Sequence, residues 1–145
     1  MKPPDFLDAQ AVPLLTDADI EKRVTELIGR ANLRQLWVLF LDAEAVQLPL
    51  LIPIDGMPSE PSPGETLDVM ERIRDVMDEI GAASIILVWE RYAAARLTAQ
   101  DAAWARSLHE TCAEQRIELR AMLLSHRSGV RWVAQDDYRF ASNVG

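Results

Sequence analysis

The sequence predicts an α/β (α+β) fold, a mixed β-sheet with helices on its faces, and three observations lead there. The chain has 145 residues, 49% hydrophobic and 26% charged, the balance of one ordinary soluble domain with a real core. Its apolar residues alternate between two kinds of pattern, short β-rich runs and longer stripes at 3.6-residue spacing. These fall in the order helix, hairpin, helix, strand, helix, hairpin, and a strand–helix–strand passage favours a crossover within a mixed sheet.

Residues 1–15 read as an irregular arm, because Pro3, Pro4 and Pro13 break any regular pattern. Phe6, Leu7, Leu14 and Leu15 give it apolar anchors. A single domain over 16–137 follows, and 138–145 is expected to be a polar tail. Thr16 to Asp19 supply cap oxygens and negative charge for a helix over 17–31, whose apolar face is Ile20, Val24, Leu27 and Ile28. QLWVLFL (35–41) and VQLPLLIPI (46–54) form a hairpin. Pro49 and Pro53 cannot donate to a ladder, so the second strand should be an edge or be bulged.

DGMPSEPSPG (55–64) is a loop, and 65–80 an amphipathic helix with Gly81 at its C′ position. SIILVW (84–89) is a strand whose unbroken apolar run predicts burial on both faces. Thr98 caps a helix that runs to about Gln115. Strands at 117–124 and 130–134 flank an SHRSG turn.

The formal charge of −8 opposes general binding to nucleic acid. No apolar run approaches a membrane span, and the N-terminal residues do not read as a signal peptide, so a cytoplasmic protein is expected. Cys112, the one cysteine, can form neither an internal disulfide nor a thiolate cluster, and reads as a small hydrophobe on a helix. His109 reads as a boundary residue and His126 as an exposed turn residue. The histidines show no H-x-H, H-x-x-x-H or HExxH spacing, so neither a metal nor a cofactor is expected. Trp89, Trp104 and Trp132 could line a pocket, but packing explains them as well.

One pair of carboxylates stands out. Glu90 ends the third strand and Asp101 opens the next helix, where α/β folds tend to place ligands. Such a crevice, lined by Glu90, Arg91, Thr98, Asp101 and His126, could do acid–base work. Glu90 would be the base, Arg91 an anion clamp and Asp101 a metal-binding or orienting group. The plainer reading is structural: Asp101 completes a T-x-x-D capping pattern with Thr98, and Glu90 pairs with Arg91 or Arg96.

The stretches LWVLFLDAEAVQL and SIILVWERYAAARLTAQDAAWARSLHETCAEQRIELRAMLLSHRSGVRWVAQ resemble the RadC-type branch of the JAB/MPN domains. The resemblance runs from Gln35 to about Asp137 and matches without a gap from the strand end to T-x-x-D. It implies a three-layer architecture like that of cytidine deaminases and a zinc site for peptide hydrolysis. The zinc would be held by two histidines of H-x-H-P and the aspartate of S-x-x-D, with a glutamate from an earlier strand as base. Read onto this chain, the histidine positions hold Val88 and Glu90, the proline position Arg91 and the serine position Thr98; only Asp101 agrees. The glutamate would fall near Pro49 or Leu50, and no Glu occurs in 46–54.

A hydrolytic zinc needs three good protein ligands and an open position for water. The expectation is therefore a non-catalytic domain that serves protein interaction or assembly, with a homodimer plausible by the resemblance. The alternative is an enzyme or small-molecule binder with repurposed chemistry between Glu90 and Asp101.

Overall fold

Nine elements build the domain in a computed structural model that describes residues 12–139. They are α1 (Asp17–Leu27), β1 (Gln35–Leu41), β2 (Gln47–Ile54), α2 (Pro63–Ile80), β3 (Ser84–Glu90), α3 (Ala99–Glu114), β4 (Leu119–His126), β5 (Gly129–Trp132) and α4 (Gln135–Arg139). Most of the expected arm, with Phe6 and Leu7, and residues 140–145 of the expected tail lie outside the described residues.

The five strands form one mixed sheet in the order β2-β1-β3-β4-β5. β3 pairs parallel with β4, and the other neighbouring pairs are antiparallel. β3 is the centre, and all seven of its residues are buried, as its continuous apolar run predicts. Its side chains alternate between two apolar layers. Ile85, Leu87 and Trp89 pack with Met70, Ile73 and Met77 of α2 and with Trp104 and Leu108 of α3. Ile86 and Val88 pack on the opposite face with Ile20 and Val24 of α1.

The caps are those the sequence announces. Thr16 and Asp19 form a capping box on α1, and Thr98 and Asp101 form one on α3. Gly81 closes α2 at φ 74°, a left-handed conformation that glycine adopts without a Cβ penalty. β2 is an edge strand. It is also bulged: between the pairs Leu39↔Leu51 and Leu41↔Gln47, β1 has Phe40 alone while β2 has Leu48, Pro49 and Leu50.

Several boundaries differ from the sequence reading: the second helix starts at Pro63, the last two strands run Leu119–His126 and Gly129–Trp132, and the short helix Gln135–Arg139 is not among the expected elements. α1 stops at Leu27, short of 31, because Gly29 turns left-handed at φ 64° and its N–H bonds the Val24 carbonyl. β4 continues through Ser125 and His126, which pair with Val130 and Gly129, so the turn is tighter than SHRSG suggests. Tyr138, assigned to the polar tail, is buried on α4 with its ring 6.1 Å from that of His109.

Candidate functional site

The end of β3 carries both candidate carboxylates, and strand alternation sends them apart. Trp89 faces the α2/α3 layer and Val88 the α1 layer, so Glu90 follows Val88 and Arg91 follows Trp89. The expected Glu90/Asp101 crevice is therefore not formed. Nor does Glu90 pair with Arg91 or Arg96, since a strand neighbour points to the other face.

Asp101 sits at the N-terminus of α3 and is buried. Its Oδ1 accepts from Trp89 Nε1 at 3.0 Å and from Arg91 Nε at 3.1 Å. Its Oδ2 accepts from Arg91 Nε at 3.0 Å, Arg91 Nη2 at 2.8 Å and the Thr98 backbone N–H at 2.8 Å. In return, Thr98 Oγ1 accepts from the Asp101 N–H at 3.1 Å. Burial pushes the Asp101 carboxyl up, but hydrogen bonds from Arg91 and Thr98, together with the Arg91 charge, outweigh it and hold it below its ordinary value. Arg91 Nη2 also donates to the Arg96 carbonyl at 2.8 Å, tying down the loop between β3 and α3.

Glu90 is equally committed on the opposite face. Its Oε2 accepts from the backbone N–H groups of Asn32 at 2.7 Å and Leu33 at 3.0 Å. Its Oε1 accepts from Gln35 Nε2 and Trp37 Nε1, both at 2.8 Å. Burial pushes this carboxyl up too, and the four donors more than reverse the effect. Glu90 thus fastens the α1–β1 connection to the sheet. Ser125 Oγ, donating to the Gly29 carbonyl at 2.6 Å, fastens the same segment from β4.

His126 ends β4 and is buried, not exposed in a turn. Its Nδ1 accepts from the Ser128 N–H at 3.2 Å. Burial, then the charges of Arg91 and Arg131, push its pKa down, so the imidazole is neutral at pH 7. Of the five candidates, Arg91, Thr98 and Asp101 come together, His126 lies within reach of the Arg91 charge, and Glu90 stands apart.

The tryptophans are packed. Trp89 and Trp104 stack at 5.7 Å with 24° between their planes, and the Arg34 guanidinium lies 5.0 Å from the Trp89 ring centre. Trp104 Nε1 donates to the Pro58 and Ser59 carbonyls, and Arg34 to those of Met57 and Pro58. The loop after β2 is thereby clamped over the aromatic pair. The void between Trp89, Asp101 and Trp104 measures about 10 Å³, room for one water at most. It cannot admit a small-molecule ligand, and Trp132 belongs to the other face of the sheet.

The donor set does not fit a zinc ion. The side chains that face Asp101 from the end of β3 are Trp89 and, just past it, Arg91; Val88 and Glu90 point to the opposite face. Neither indole nor guanidinium is a zinc ligand, and both carboxylate oxygens of Asp101 already accept N–H groups. Among the described residues, no three of His, Cys, Asp and Glu gather where they could hold a metal. Cys112 is buried and its thiol is pushed up to about 12, which leaves it without nucleophilic character at neutral pH.

Sequence reasoning missed the roles of Trp89, Arg91 and Arg34. Alternation along β3 puts Trp89 and Arg91 on one face and Glu90 on the other, and that signal was available. Which face α3 covers was not. Among the described residues, no helix is long and apolar enough to cross a membrane. The chain matches no protein-family model and no curated protein.

Proposed function

We propose that the chain is a non-catalytic domain of the RadC-type JAB/MPN kind, in which a former zinc site has become a structural lock and whose work is protein interaction. The observation that carries this reading is the complete use of the Asp101 carboxylate by Trp89, Arg91 and Thr98. Trp89 and Arg91 are spaced i, i+2 on one face of a strand end, opposite the aspartate of a T-x-x-D helix start. That is the spacing of an H-x-H pair facing its third ligand. A guanidinium beside the aspartate supplies, as a fixed internal charge, the positive partner that a metal would otherwise provide.

Hydrolysis by the family's route has no support in these groups. No side chain here could lower the pKa of a water towards neutrality, and the region is closed by the loops after β2 and β3. Surfaces away from the strand end are left to carry function.

The experiment that tests the ancestry is a designed regain of metal. The double variant Trp89→His with Arg91→His is titrated with zinc by calorimetry, beside the unaltered protein. The reading expects one zinc per chain in the double variant, lost again on adding Asp101→Asn. A folded double variant that takes up no zinc would overturn the zinc-site ancestry. A homodimer remains part of the proposal, and light scattering across a concentration series tests it.

A further inference from the structure

We infer that the groove between the edge strand β2 and helix α2 is a docking site for a basic amphipathic helix of another protein. The inference rests on the reading of the domain as an interaction module and names the kind of partner.

The groove has a volume of about 230 Å³ and is lined by Ile52 and Ile54 of β2 and by Val69, Arg72, Ile73 and Val76 of α2. Its apolar side chains come from the layer that also holds the core, yet Ile52, Ile54, Val69 and Val76 are only partly buried. Positions 69, 73 and 76 span two helical turns, about 10 Å, the span of i, i+3/i+4 and i+7 anchors on a docked helix. Arg72 is its one charged lining residue, so the groove lacks the converging polar groups that orient a small ligand.

Strand addition is disfavoured by the edge itself. Pro53 pairs with Trp37 in the β1–β2 ladder without an N–H to give, so its nitrogen must face outward. By alternation in the regular part of the ladder the outward nitrogens of β2 belong to Leu51 and Pro53, one of them a proline, and Pro49 stands in the bulge that interrupts the edge beyond them. A partner must therefore bind by side chains, not by extending the sheet.

Charge selects among the remaining partners. Arg74 reaches across α2 to the Gln115 and Arg116 carbonyls, which puts α3 on that flank of the helix. The other flank, beside the groove, is the exposed row Glu65, Asp68, Arg72, Asp75 and Glu79, at alternating three- and four-residue steps. Four carboxylates against one arginine attract a cationic helix flank. A second copy would bring the same acidic row and another net charge of −8.

The test uses the full chain and a synthetic 18-residue helical probe with leucines at i, i+3, i+4 and i+7 and lysines on both flanks. Two control peptides are used, one with its leucines scrambled and one with glutamate in place of lysine. Fluorescence anisotropy at physiological salt should show the probe binding at least tenfold more tightly than either control. Asp68→Lys with Asp75→Lys, two exposed changes that leave the core untouched, should weaken binding at least fivefold and abolish its salt dependence. Ile54→Asp should weaken it tenfold or more.

Equal binding of the scrambled peptide, or indifference to both groove variants, would overturn the inference. A concentration-dependent dimer abolished by Ile54→Asp would overturn it in favour of a second copy. The zinc regain at Trp89 and Arg91 does not involve this groove, so loss of the partner class and loss of the ancestral reading are distinguishable.

Discussion

The end of β3 and the flank of β2 use their side chains in opposite ways. At the end of β3 both acidic side chains are buried, and each of their oxygens accepts hydrogen bonds from named donors. Along β2, apolar side chains stay half exposed beside a row of unburied carboxylates. A buried acid surrounded by donors has no capacity left for a substrate, whereas an apolar groove with a charged rim has nothing yet to satisfy it. Acidic residues at a strand end are thus a poor guide to activity until their partners are known. Glu90 and Asp101, alike in chemistry but on opposite faces of the sheet, serve two separate fastenings.

The comparison breaks most visibly if the strand end is not structural. Asp101→Ala should leave the Arg91 guanidinium buried without its counter-charge, at a cost of about 3–5 kcal/mol in urea unfolding. Replacing both partners, Arg91→Met with Asp101→Leu, should cost clearly less than Asp101→Ala alone, because no charge is then stranded. If the two losses simply add, the pair is not the lock described here.

Glu90→Gln should cost about 1–3 kcal/mol, since one acceptor oxygen becomes a donor facing N–H groups. Hydrogen exchange should then quicken at Asn32 and Leu33 while the Trp89 side of the strand stays protected.

Acid should act in two stages. The folded pKa of His126 lies below its ordinary 6.5, so its contribution is fully present above that value and is lost as pH falls through the folded pKa. Glu90 and Asp101 also titrate below their ordinary 4.5 and 3.8 in the folded state, so their contributions fade only at more acid pH. Unfolding free energy measured from pH 8 to pH 3 should fall slightly near pH 6 and steeply below pH ~4. His126→Gln should remove the first decline and spare the second.

At the small end, Thr98→Ala should cost about 1 kcal/mol as a lost helix cap. Asp75→Lys, on the exposed row beside the groove, should change stability by no more than ~0.5 kcal/mol while still weakening the helical probe.

Much of the fold is legible in the chain because local rules act there without competition. Thr16 and Thr98 announce their helices, Gly81 ends one, and Pro49 and Pro53 mark the edge strand. The boundaries that slipped are those set by tertiary contacts. His126 stays in its strand because it pairs with Gly129, and Tyr138 is drawn inward to α3 beside His109. The site was half legible. Asp101 as a cap follows from T-x-x-D alone, but its bonds to Trp89 and Arg91 depend on which sheet face α3 covers. The acceptor role of Glu90 depends on a loop almost sixty residues earlier, and no local pattern carries that. The groove is a product of packing: β2 and α2 each look like ordinary half-buried elements.

The most direct test of the central claim is zinc binding by the unaltered protein, prepared without a histidine tag. Elemental mass spectrometry and calorimetric zinc titration should give no stoichiometric metal and no saturable heat, because Asp101 is already bound by Trp89, Arg91 and Thr98. One zinc per chain, lost on Asp101→Asn, would contradict the account and return the end of β3 to the list of working metal sites.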